Sequence, residues 1–169
     1  MNGKLTLTMT TAPEIREYND RDEAHLVRLV RELQAHEIAY YDRMIPPEEI
    51  AGWYIDDMRK DCREYAGLIR IAWLADLPVG YCAIMTRVLN EEVDELPFHY
   101  AYVNDLAVAK SARGQGIGKA LLEDAEALAR AAKAKWLRIS VLAKNTVARE
   151  VYDRYGFEEH LVTMEKPLK

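Results

Sequence analysis

A chain of 169 residues is about one domain long, enough to bury a self-sufficient core. Half of its residues are hydrophobic and 30% are charged, and a formal net charge of −5 argues against a general nucleic-acid binder, which is normally basic. No stretch approaches the ~20 apolar residues of a membrane span, the start MNGKLTLTMTTAP lacks the apolar run of a signal peptide, and Cys62 and Cys82 show no CxxC spacing, so a cytoplasmic location is expected by default.

Residues 1–13 read as a flexible tail, and 14–169 as a single domain. Glu14 to Tyr18 suits a short strand, and Asn19 or Asp20 can cap the helix that follows, in which Leu26, Leu29, Val30 and Leu33 recur on one face. A second helix is expected from Pro46-Pro47-Glu48-Glu49, with Ile50, Trp53, Tyr54 and Met58 as its apolar side. The period then changes to two: Tyr65–Leu74 and Val79–Arg87 predict an antiparallel hairpin, and an acidic loop with Glu91, Glu92, Asp94 and Glu95 leads into a longer strand, Phe98–Val108. On that strand Asn104 and Asp105 are expected on opposite faces. The helix that follows carries Ile117, Leu121, Ala125, Leu128 and Ala132 as one stripe; a strand Trp136–Leu142, a helix Asn145–Tyr155 stopped by Gly156, and a closing strand Phe157–Glu165 complete the chain.

The stretch Leu106–Arg130 organises the rest. A strand passes through a small loop with Gly114, Gly116 and Gly118 into a helix, and its charged residues up to Leu122 are Lys110, Arg113 and Lys119, all basic. Free N–H groups at a helix start, backed by the helix dipole, favour an anion there. A Walker loop would need glycine where Arg113 stands, and a Rossmann GxGxxG starting at Gly114 ends on Lys119, so both nucleotide fingerprints fail.

The loop Arg113-Gly114-Gln115-Gly116-Ile117-Gly118, an R-x-x-G-x-G after a strand ending Asp105-Leu106-Ala107-Val108, resembles the acetyl-CoA pyrophosphate loop of the GNAT superfamily of N-acetyltransferases. The segment from Asn145 through Ala148, Tyr152 and Gly156 to Phe157 is similar to that family's N-x-x-A-x-x-x-Y-x-x-x-G-F helix. The resemblance implies an α/β (α+β) fold: a central mixed, largely antiparallel twisted sheet of about six or seven strands, flanked by helices. It implies acetyl-CoA as cosubstrate, with no metal. Backbone groups from Arg113 to Lys119 would hold the pyrophosphate. Leu106, Ala107 and Val108 would line the pantetheine arm, Asn145 and Tyr152 would approach from the other side, and the strands ending near Val108 and Leu142 would splay to admit the cofactor. A homodimer is compatible with the resemblance alone.

Acetyl transfer to an amine needs a neutral amine, a stabilised oxyanion and a proton for the departing thiolate. Deprotonating an alkyl ammonium near pKa 10.4 at neutral pH costs roughly 4–5 kcal/mol. The backbone N–H of Leu106 is the expected oxyanion donor and Tyr152 the expected acid; the alternative for Tyr152 is a half-buried aromatic with a satisfied hydroxyl. Many relatives place a glutamate where this chain has Asn104, which can orient water or substrate but cannot take a proton. Glu37 and Glu64 are carboxylates that sequence alone cannot place, and His25, His36, His99 and His160 show no metal-ligand spacing. The acceptor is expected to be a small-molecule or peptide amine, cationic if the acidic run steers it, with no nucleic acid and no membrane as partner. The other reading, kept open by Asn104, is a non-catalytic acyl-CoA-binding sensor or assembly module of the same fold.

Overall fold

Two helices on one face of an open sheet and one on the other cover strands whose apolar residues alternate, in a computed structural model that describes residues 12–168. Most of the expected tail therefore lies outside the described residues. In chain order the elements are β1 (Glu14–Glu17), α1 (Glu23–Glu37), α2 (Gly52–Glu64), β2 (Leu68–Leu74), β3 (Leu77–Leu89), β4 (His99–Val108), α3 (Ile117–Ala131), β5 (Leu137–Ile139) and α4 (Thr146–Tyr155). The strands pair in sequence order, antiparallel from β1 to β4, while β5 lies parallel to β4 after the α3 crossover.

Sequence pattern explains the layers. Leu26, Leu29 and Val30 are buried on α1, and Ile55, Met58 and Cys62 on α2; they pack on Ile69, Ile71 and Trp73 of β2 and on Tyr81 and Ala83 of β3. Each fully buried aliphatic side chain contributes about 1.5–3 kcal/mol of transfer free energy. The opposite face receives Ile117, Leu121, Ala125 and Ala129 of α3 against Cys82, Ile84, Ala101 and Val103. Covered on both sides, β3 is buried at nine consecutive positions from Pro78 to Thr86. Arg70 of β2 donates from Nε and Nη2 to the two carboxylate oxygens of Asp124 at 2.8 and 3.0 Å, tying the sheet to α3.

Several expectations need correction. Among the described residues the sheet has five strands, not six or seven, because Phe157–Glu165 forms no ladder. Both alternate sets in that segment mix apolar and charged residues (Phe157, Glu159, Leu161, Thr163; Glu158, His160, Val162, Met164), so neither face specifies a register. β5 is also too short to offer it an edge, and Leu161 and Met164 remain 84% and 89% exposed. The Pro47–Glu49 stretch is a single 3-10 turn and α2 starts only at Gly52, which leaves Trp53 half exposed while Ile55 takes the inward position. On α3 the stripe rotates slightly, burying Leu122 and Ala129 and leaving Ala132 in solvent.

Gly80 of β3 is where α3 comes closest. A Cβ there would lie 2.8 Å from the Ala107 carbonyl oxygen and 3.2 Å from both Ile117 and Leu121 side chains. Gly80→Ala is therefore expected to destabilise the fold by about 1–3 kcal/mol, read as a lower urea midpoint at unchanged slope; an unchanged midpoint contradicts the close approach.

Candidate active site

β4 carries one residue too many for its partner. Ala83 pairs with Asp105 and Ile84 with Val103, so Asn104 is a bulge with no counterpart on β3. The extra residue inverts the alternation. Before it, Ala101 and Val103 face α3 and Tyr100 and Tyr102 the other side; after it, Leu106 and Val108 face α3 while Asp105 and Ala107 face α1 and α2. Asp105 thus shares the face of Tyr102, and the simple alternation expected from sequence fails at this point. Asn104 itself is exposed.

Pairing between β4 and β5 ends at the same place. Ala101, Tyr102 and Val103 are matched with Leu137, Arg138 and Ile139, and beyond them the strands part. The Ala109 N–H donates to Val79 O at 2.8 Å, which sets the phase of the backbone: Ala107 and Ala109 address β3, whereas the N–H and C=O groups of Leu106 and Val108 address the gap. The Val108 carbonyl accepts there from Arg113 Nε at 3.2 Å.

The gap leads to the glycine loop. Gly114 and Gly116 have φ of +76° and +80°, a region in which an L side chain is strained, and Gly116 is the N-cap of α3. No side chain caps this helix start and no acid stands in its first turn, so the N–H groups of Ile117, Gly118 and Lys119 are available to an external anion. The side chain of Ile117 is core, Gln115 folds back onto Ser111 O, and Lys119 Nζ lies 3.2 Å from Glu123. The Lys110 N–H donates to Glu32 of α1, and burial followed by the charge of Arg113 lowers the His36 pKa, so the second half of α1 runs beside this basic loop.

Polar groups that sequence could not assemble converge above Asp105. Its Oδ2 accepts from the hydroxyls of Tyr54 (3.0 Å) and Tyr81 (3.1 Å). Burial raises the Asp105 carboxyl above its usual range, and these two phenols partly offset the rise. Glu37, at the end of α1, is raised by burial and then by the charge of Asp105. Tyr152 on α4 is pushed up to about 12, by burial first and then by Cys82, Glu37 and Asp105. Its ring packs edge-on against Phe157, centroids 5.8 Å apart, and its hydroxyl has no hydrogen-bond partner among the described residues. Asn145 is buried and its Oδ1 accepts from the Ala148 N–H at 3.2 Å, so its carbonyl serves as the N-cap of α4 and only Nδ2 is left to reach a ligand. Tyr155 instead donates to Glu126 of α3.

The profile of the acetyltransferase (GNAT) domain matches residues 67–159, which spans β2 to the end of α4. The chain is 34% identical over 74 residues to the uncharacterized N-acetyltransferase YycN of Bacillus subtilis, a match covering 44% of this chain and 47% of that protein. It spans less than half the length of the curated relatives it matches. Among solved structures, the tetramutant of the BH1408 protein from Bacillus halodurans superposes with a TM-score of 0.81 at 20% identity, over 92% of this chain and 99% of that one. The aminoglycoside N-acetyltransferase AAC(6')-Iy in complex with CoA superposes with a TM-score of 0.64 at 15% identity, over 92% and 100%. At those identities the likeness is one of fold.

Asp105→Ala should strand the wholly buried Tyr81 hydroxyl without an acceptor, at a cost of about 1–3 kcal/mol, whereas Asp105→Asn keeps an acceptor oxygen and should recover much of it. Urea unfolding of both variants checks this, and equal stability of the two would contradict the hydrogen bonds.

Proposed function

The chain belongs to the GNAT acetyltransferase domain family, and on that premise we propose that it moves an acetyl group from acetyl-CoA to a primary amine by direct attack. The observation that carries the reading is the company Tyr152 keeps: a protonated phenol, without a hydrogen-bond partner among the described residues, in the field of two carboxylates, Glu37 and Asp105, whose own pKa values are raised.

Acetyl-CoA supplies an activated thioester. Its diphosphate suits the N–H groups at Ile117, Gly118 and Lys119, with Arg113, Gly114, Gln115 and Gly116 forming the cradle. Its pantetheine arm suits the unpaired edge at Leu106 and Val108, as a strand substitute. The Leu106 N–H, fixed in the sheet, is the donor for the carbonyl oxygen as negative charge develops there.

Asp105 and Glu37 take the role that sequence left empty at Asn104. A carboxylate with a raised pKa is a stronger base than an exposed one, and each unit brings it 1.36 kcal/mol nearer to the ammonium it must deprotonate. The freed amine attacks the thioester carbon, the C–S bond breaks, and the proton left on nitrogen passes to the carboxylate pair. Tyr152 protonates the departing sulfur. Against an ordinary thiol at ~8.5, a phenol near 12 makes that transfer about 5 kcal/mol uphill, so it depends on the same apolar surroundings raising the basicity of the thiolate as well. The acceptor is a small-molecule or peptide amine, a reading supported by the amine-acetylating enzyme among the structural neighbours. No helix among the described residues is long and apolar enough to cross a membrane, and both cysteines are free and buried, in keeping with a cytoplasmic enzyme.

Tyr152→Phe should lower kcat for thiol release by tenfold or more while CoA binding, followed by calorimetry, stays within about twofold; unchanged turnover would remove Tyr152 from the mechanism. Binding of acetyl-CoA without thiol release across a broad amine panel would instead favour the non-catalytic module. In the wild type the acid limb of kcat/KM should lie above the usual carboxylate range. Asp105→Asn removes the charge that raises Glu37, so the limb that remains should move to lower pH.

A further inference from the structure

Arg138 is unused by this mechanism, yet it stands on the same face. On β5 it is matched with Tyr102, which, through the bulge at Asn104, shares its side of the sheet with Asp105. Its guanidinium lies 4.3 Å from the ring centroid of Tyr100 and 5.5 Å from that of Phe98. Nη2 is 3.1 Å from His160 Nε2, and Tyr102 beside it donates to Ser140. Two rings therefore hold a planar cation part-buried in front of the open half of the sheet, which neither α1 nor α2 covers. No carboxylate pairs with Arg138 among the described residues. Glu95, in the adjacent loop, accepts from Asn90 instead.

Distance along β4 separates this cation from the donor end. Tyr102 is six residues before Val108, about 20 Å at the usual strand rise, but only three residues, about 10 Å, from Asp105. An anion on Arg138 is therefore not a phosphate seated at the glycine loop. It would belong to the molecule whose amine meets Asp105 and Glu37. The surface is bipolar, with a pair of acids at one end and a ring-stacked guanidinium, suited to a bidentate carboxylate, at the other.

We propose that the acceptor is an amine that also bears a carboxylate, an amino acid or short peptide, bound with its amino group toward Asp105 and Glu37 and its carboxylate on the Arg138 fork. This rests on the acetyl-transfer reading above. The acceptor so bound is a zwitterion rather than a simple cation.

The test compares thiol release from acetyl-CoA with ω-amino acids against alkylamines that lack only the carboxylate, and with dipeptides against their C-terminal amides. A charge-assisted bidentate contact should raise kcat/KM for the carboxylate member by about ten- to a hundredfold, mainly through KM. Arg138→Gln should abolish the preference while leaving the alkylamine rate and CoA binding unchanged, and Arg138→Lys should restore part of it. A merely structural Arg138 would lower both members of each pair alike, and that result overturns the proposal, as does equal kcat/KM in the wild type. Those outcomes leave acetyl transfer standing. Failure of every amine to release thiol overturns the acetyl-transfer reading and this one together.

Discussion

The unpaired Asn104 is the constraint on which the site depends. One extra residue in a central strand reverses which side chains face which helix layer, and it does so where β5 stops following β4. Were Asn104 paired in a regular ladder, Asp105 would project toward α3 and the phenols of Tyr54 and Tyr81 would have no acceptor. A bulge usually costs ladder hydrogen bonds. Here it falls at the head of the gap, whose edge is formed by the backbone groups of Leu106 and Val108.

Electrostatics follow from that geometry. Asp105, Glu37 and Tyr152 come from β4, α1 and α4; burial raises all three, the charge of Asp105 raises Glu37 further, and both carboxylates raise Tyr152. Removing either carboxylate should alter the titration of the groups beside it, so a substitution at Asp105 or Glu37 will report on the group rather than on one residue. The glycine loop works by a different principle. It presents backbone dipoles held in place by the close packing of α3 over Gly80, so the phosphate site proposed there would need no titratable group.

Much of the architecture was legible because it is local. The stripe Leu26-Leu29-Val30, the strand period of Ile69, Ile71 and Trp73, and the Asn145 and Gly156 boundaries of α4 all rest on spacing within about a dozen residues. The R-x-x-G-x-G loop was readable for the same reason. The polar centre was not, because it joins residues far apart in the chain, and because period-two counting has no symbol for an inserted residue. Simple alternation therefore puts Asp105 on the wrong side and gives Glu37 no address. The closing strand failed for the reverse reason: Phe157–Glu165 has strand-forming residues but no edge long enough to receive them.

The open edge at Leu106 and Val108 has a second consequence. An unpaired strand edge within a sheet is an invitation to any extended chain, including that of another unfolded molecule. The fold blunts it in two ways: the bulge kinks the strand, and the Arg113 guanidinium occupies the Val108 carbonyl. The Arg113 contact would have to yield to a true ligand, so what protects the protein from aggregating also sets how selectively the edge opens.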